Sequence, residues 1–370
     1  MNRNLLRITS ATIGIILLFV FVLVLSGENG LASQPGQSLA ETEEPGSGFV
    51  SHRPASPLAE GSSATIWTKE AMLAAKPYPL EKIAGEVNVN LELSRPDGPP
   101  GVIASSPPGI DFSAAANSVE PLAVSETTVI GYNYPAPYAR YQNFDFYQTY
   151  PYSTVGVLFF KQGGGSYRCS AASIGNFAIW TAGHCIHAGD GNPGTWSTNV
   201  IFVPAYQNGN APLGVWTAGN LYIPTGWQTS HDLRYDMGGA ILNLNGGQKI
   251  SQEVGSLGFA YNMDHRLHWT NIAYPSEAPF TGSTQQICSG SFAYEDMSGP
   301  SPFPIAIGCD MTGGSSGGPW ILDFSGSAGS SNLLNGNNSY RYPSHPKELF
   351  SPYFGSFAQS FHNTLISAVP

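Results

Sequence analysis

Charge is what this chain has least of. Only 11% of its 370 residues are Asp, Glu, Lys or Arg, and no cluster of Lys or Arg occurs along it. With 25 acidic against 15 basic residues the formal net charge is −10, so the chain offers no basic face for nucleic acid or an anionic membrane surface. Internal repeats are absent, which excludes solenoid and propeller arrays. Cysteine is scarce, with four residues.

What is abundant is glycine and proline, 43 and 29 residues, a composition of turns and short strands more than of long surface helices. All-β architecture is the first expectation. The N-terminus carries Arg3 and Arg7 ahead of residues 8–25, which hold no charge, and then Ser26-Gly27. That order reads as an export signal over residues 1–26, or as an anchor if it is retained, since 18 uncharged residues are nearly enough to span a bilayer. Either way the remainder faces outside the cell. In an exported chain an even number of cysteines favours two disulfides over metal ligands.

Residues 27–120 contain no cysteine and are interrupted by Arg95-Pro96-Asp97-Gly98-Pro99-Pro100-Gly101 and Ser106-Pro107-Pro108-Gly109. Such a stretch is expected to be poorly structured, a pro-segment or a linker, apart from a short helix over residues 66–75 that Pro77 stops. From about Thr127 onward short apolar runs alternate with turns, at residues 155–160, 177–181, 199–203, 239–242, 304–307 and 319–322. Many short strands over such a length predict a sandwich or barrel. Phe354, Phe357, Phe361 and Leu365 recur at three- and four-residue spacing, the pattern of one amphipathic helix closing the chain.

The stretch Cys309-Asp310-Met311-Thr312-Gly313-Gly314-Ser315-Ser316-Gly317-Gly318-Pro319-Trp320, taken alone, reads as a flexible Gly-Ser linker. Two others change that reading: Thr181-Ala182-Gly183-His184-Cys185, where a histidine follows a strand-like run, and Tyr235-Asp236-Met237-Gly238-Gly239-Ala240-Ile241-Leu242, where an aspartate precedes one. In order and wording these three resemble the His, Asp and Ser motifs of the chymotrypsin-like serine proteases, over about residues 125 to 370. The separations, 52 residues from His184 to Asp236 and 80 from Asp236 to Ser316, leave room for barrel strands between them.

The resemblance implies two six-stranded antiparallel β-barrels with a C-terminal helix, a protease domain over residues 121–370 and a triad in the cleft. A serine hydroxyl is a poor nucleophile near neutral pH and needs a base within reach. Ser316 takes the nucleophile's position, His184 the base's and Asp236 that of the group holding the imidazole, with Asp232 as the rival aspartate. The backbone N–H groups of Gly314 and Ser316 take the place of the oxyanion hole. Ser315 stands where many members carry an aspartate that pairs with a freed N-terminus, so that switch is missing; the departure resembles the bacterial branch that includes the glutamyl endopeptidases. The family disulfide matches Cys169–Cys185, which leaves Cys288 with Cys309.

Substrate-binding positions implied by the resemblance are Asp310, Met311 and Ser339. Asp310, six residues before Ser316, matches the pocket aspartate of trypsin-like members and points to cleavage after Arg or Lys. Cleavage after uncharged residues stays open, because bacterial relatives carry an aspartate there without that preference. Cleavage after Glu fits worst, since Met311 and Asn338 stand where a threonine and a histidine would be needed. The expected enzyme is a secreted monomeric serine endopeptidase acting on proteins or peptides without cofactor or metal, tethered to a membrane only if residues 8–25 remain.

Three alternatives compete. A metal site at His184, Cys185 and His187 lacks a second cluster to complete it. The Gly-x-Ser-x-Gly elbow of α/β-hydrolases is present, but that fold places its acid and histidine after the serine, and only 54 residues follow Ser316. A non-catalytic binding protein on the protease fold is the alternative from another class.

Overall fold

The computed structural model describes residues 42–43, 48–54, 66–89, 93–109, 135–326, 328–329 and 331–370. The expected export segment and the expected boundary at 120/121 lie outside them. The chain divides into two units, Met1–Ser38 and Leu39–Pro370, and the following concerns the second.

Six strands form the first half of the body: β1 Val155–Gln162, β2 Gly165–Gly175, β3 Ala178–Thr181, β4 Thr198–Pro204, β5 Trp216–Pro224 and β6 Gly238–Leu242. They pair in the order β5-β4-β1-β2-β3-β6, and β6 returns to β5, closing a barrel. The run Val155-Gly156-Val157-Leu158-Phe159-Phe160 shows why these strands read as almost unbroken apolar stretches. Successive side chains alternate between faces. Leu158 and Phe160 join a cluster with Cys169, Ala171, Phe202 and Leu221, all from barrel strands. Val155, Val157 and Phe159 join another that includes Ile272, Ile287, Ile321 and Leu334 of the second sheet. Both faces are therefore buried.

The second half contains β7 Gly258–Tyr261, β8 His268–Ala273, β9 Gln285–Glu295, β10 Ile305–Gly308, β11 Pro319–Leu322, β12 Leu333–Asn337, β13 Tyr340–Arg341 and β14 Glu348–Ser351. Their order is β13-β14-β10-β9-β8-β11-β12-β7. Here the expectation of two closed barrels is corrected: this sheet is an open, curled half-barrel. The physical reason is visible at its edges. The short strand Gly101–Ile103 pairs with β7, and Glu81–Lys82 pairs with β13, so the two edges are occupied by the N-terminal segment and do not meet each other. The sheet is not purely antiparallel either, since β7 and β12 run parallel.

The expectation that residues 27–120 are poorly structured also fails over their described stretches. Phe49–His52 pairs with β5, Lys76–Pro77 with β2, and the helix Lys69–Ala74 starts on a Thr68 side-chain cap. Phe49, Val50, Trp67, Met72, Leu80 and Val102 are buried in clusters of the body. The segment lacks a core of its own and shares that of the body.

All six apolar runs read from the sequence contribute strand residues, and the closing helix spans Ser356–Ser367 with Phe361 and Leu365 buried. Both disulfides form as expected, Cys169–Cys185 and Cys288–Cys309, with Cα separations of 6.3 and 5.7 Å. Among the described residues no helix is long and apolar enough to cross a membrane.

Candidate active site

His184 sits on the single helical turn Gly183–Cys185 that follows β3, and Asp236 lies just before β6. Antiparallel pairing of Thr181 with Gly238 and of Trp180 with Gly239 sets the end of β3 beside the start of β6. That register brings together two residues 52 positions apart. Asp236 Oδ2 lies 2.8 Å from His184 Nδ1, while its Oδ1 accepts the backbone N–H of His184 at 2.9 Å. The ring and its main chain are thus held by one carboxylate. The Cys169–Cys185 bridge ties the residue after His184 to β2.

Ser339 Oγ donates a further hydrogen bond to Asp236 Oδ2, and Asn337 Nδ2 donates to the Asp236 carbonyl at 3.3 Å. Burial raises the free energy of the Asp236 charge, but the neighbouring His184, its ring and main-chain hydrogen bonds, and the Ser339 hydroxyl outweigh it and hold the carboxyl below its ordinary range. Burial likewise pushes the His184 imidazolium down, and the Asp236 charge and hydrogen bond reverse that, leaving it above its ordinary value. Asp232 is otherwise engaged: it caps its own turn and forms an ion pair with Arg234.

The loop carrying Ser315 and Ser316 precedes β11 and is fastened to the barrel. Ser170 N–H donates to the Ser316 carbonyl at 2.8 Å, and Ser170 Oγ donates to the Gly314 carbonyl at 3.0 Å. Two of its glycines are demanded by space as well as by backbone. Gly314 has φ +88°, and a Cβ there would lie 2.7 Å from Ser276 Oγ; Gly317 has φ +78°, and a Cβ would lie 2.1 Å from Thr181 Oγ1. The cage is a tight turn against the barrel, not a linker.

Ser316 Oγ and His184 Nε2 are both buried and both without a hydrogen-bond partner, as is Ser315 Oγ. Over His184 lies Tyr78, whose ring is stacked on the imidazole at 5.6 Å between centroids. Sequence reasoning missed Tyr78, and no motif marks it.

The residues expected to bind substrate are placed differently from one another. Asp310 is ion-paired with Arg140 at 3.0 Å. Met311 is fully buried in the apolar cluster of the second sheet. Ser339 turns its hydroxyl to Asp236. Asn338 spends its amide on Asn271, Ser315 and Trp320 inside the protein.

Among the described residues, the two groups of metal-ligand side chains that come together are Cys169, His184 and Cys185, and Cys288, Cys309 and Asp310. Each contains a disulfide, so its sulfurs are not thiolates.

No protein-family profile matches the chain. The crystal structure of the protease Anisep from Arthrobacter nicotinovorans is 41% identical, with a TM-score of 0.54, over 58% of this chain and 96% of that one. A thermostable serine protease, AL20, from an extremophilic microorganism is 34% identical, with a TM-score of 0.53, over 58% and 98%. A curated relative, the "Extracellular metalloprotease" of Bacillus subtilis (strain 168), is 26% identical over 189 residues, 45% of this chain and 59% of that protein's length. With a closed barrel, a curled second sheet and these relatives, the chain belongs to the chymotrypsin-like protease superfamily.

Proposed function

We propose that the protein is a secreted serine endopeptidase that hydrolyses peptide bonds through His184, Asp236 and Ser316. One observation carries the reading: a histidine anchored by a buried aspartate follows β3, the serine loop packs against Thr181 of that strand and bonds to Ser170, and the Ser316 hydroxyl, like His184 Nε2, has no competing partner. In this mechanism Ser316 Oγ attacks the substrate carbonyl carbon while its proton passes to His184 Nε2. The carbonyl π pair moves onto oxygen, which the N–H groups of Gly314 and Ser316 receive. Collapse of that intermediate breaks the C–N bond, and His184 returns the proton to the leaving amine. Water, deprotonated by the same nitrogen, then releases the acid and restores Ser316.

Residues 1–26 serve as the export segment, 27–120 as a pro-segment, and 121–370 as the protease, acting as a monomer. The membrane is involved only if residues 8–25 persist. For specificity, the Arg140 partner of Asp310 favours cleavage after uncharged residues over Arg or Lys, because the carboxylate already has its counter-charge. Fluorophosphonate labelling of the processed enzyme tests the reading: modification at Ser316 and its loss in Ser316→Ala support it, whereas no labelling favours a non-catalytic binding protein. A peptide-library digest of the same material reads the specificity.

A further inference from the structure

The main-chain N–H of Gly314, one of the two donors assigned to the oxyanion, is already engaged. It donates to the carbonyl of Tyr78 at 2.9 Å. Around that contact the N-terminal segment is laid across the site and fixed at both ends. On one side Lys76–Pro77 pairs parallel with Tyr167 and Arg168 of β2, and Tyr78 N–H donates to the Arg168 carbonyl at 2.9 Å. On the other Glu81–Lys82 pairs parallel with Tyr340–Arg341, and Ile83 N–H donates to the Arg341 carbonyl at 3.1 Å. Between the two the Tyr78 ring stacks over His184 and edges against Tyr167, its hydroxyl bonded to Gln162. Leu80 is buried in the cluster that holds Cys309 and Met311.

The upstream anchor is strong. Arg168, itself buried, donates Nε to the Ala75 carbonyl at 3.0 Å and Nη2 to the Leu73 carbonyl at 3.0 Å, capping the last carbonyls of the helix Lys69–Ala74. Downstream, Glu81 lies 3.6 Å from His231. Pro77 and Pro79 flank Tyr78, fixing φ on both sides, so the segment has little freedom to lose on entering the cleft.

We propose that residues 76–83 form an autoinhibitory strap, in which the Tyr78 carbonyl occupies the Gly314 donor and the Tyr78 ring covers His184. The proposal rests on the catalytic reading above and adds how that site is kept silent in the uncut chain. A substrate carbonyl and the strap compete for the same N–H, and a substrate side chain cannot reach His184 while the ring is stacked on it. Missing the aspartate-to-N-terminus switch at Ser315, the chain blocks a formed site instead of leaving it unformed.

The test measures fluorophosphonate labelling rates on the uncut full-length chain for wild type, Tyr78→Ala and Glu81→Ala, with Ser316→Ala as blank and near-ultraviolet circular dichroism as the check of fold. Removing the buried ring is expected to speed labelling roughly tenfold or more. Losing the rim contact of Glu81 is expected to speed it about two- to fivefold. Equal rates for wild type and a folded Tyr78→Ala overturn the strap while leaving the enzyme reading intact. If Tyr78→Ala does not fold, the Glu81→Ala rate decides, and no change from wild type overturns the strap. Absence of labelling in every form, processed enzyme included, overturns the catalytic reading and the strap with it.

Discussion

His362 lies on the closing helix with its ring stacked on Phe259 at 4.2 Å and fully buried, with Asn363 beside it only partly offsetting the effect of burial. Burial pushes its pKa down to about 3. An unfolded histidine titrates near 6.5, so below that value the unfolded chain takes up a proton that the folded chain refuses. The sign follows: stability contributed by neutral His362 is full above about pH 6.5 and is lost as pH falls toward 3, by up to about 1.4 kcal/mol per pH unit. Between about pH 8 and pH 5 the loss amounts to about 2 kcal/mol. His362→Leu removes the titrating group at similar volume. Its packing change is the same at both pH values, and the remaining titrating groups are common to both proteins, so both contributions cancel in the comparison. Urea unfolding of the full chain, followed by tryptophan fluorescence at the two pH values, should show the variant losing about 2 kcal/mol less than wild type on acidification. An identical pH dependence for the two proteins would refute the buried, neutral assignment.

In the processed enzyme, Ser316→Ala should abolish peptide hydrolysis and Ser315→Ala should leave substantial activity; the reverse result reassigns the nucleophile. Asp236→Asn should lower kcat about ten-thousand-fold, a magnitude known from another member of this superfamily. The acid limb of its pH–rate profile should move to lower pH, because the carboxylate that raises the His184 pKa is gone, and an unmoved limb would contradict the pairing. Ser339→Ala removes one of the hydrogen bonds on Asp236 and should cost roughly tenfold in kcat with little change in KM; a pure KM effect would return Ser339 to substrate binding. Replacing Cys169 and Cys185 together by Ala should reduce stability by about 3 kcal/mol, read from denaturant midpoints, and no loss would show that the bridge adds nothing.

Much of this was open to a reading of the chain alone, for reasons of chemistry on a short scale. Three motifs in a fixed order name a histidine, an aspartate and a serine because each needs particular neighbours: glycines where a Cβ has no room, a cysteine beside the histidine, an apolar strand after the aspartate. The closing helix follows from an equally local pattern, and the pairing of the cysteines from what the family resemblance implies. The strands were legible because burial on both faces leaves continuous apolar runs.

What the sequence could not show are contacts made by residues without a pattern. Strands as short as Lys76–Pro77, Glu81–Lys82 and Gly101–Ile103 carry no periodicity, and proline and glycine around them imitate a loop. Only the tertiary structure decides that Glu81–Lys82 and Gly101–Ile103 cap the edges of the second sheet and leave it open, and that Lys76–Pro77 pairs with β2 of the barrel, because edge strands pair by main-chain hydrogen bonds that carry no side-chain signature. The same holds for Asp310, neutralised by an arginine 170 positions away, and for Ser339, whose hydroxyl serves Asp236. Motif grammar determined which residues could do chemistry; three-dimensional pairing determined what covers them, and placed Tyr78 over His184 through a carbonyl that every residue possesses.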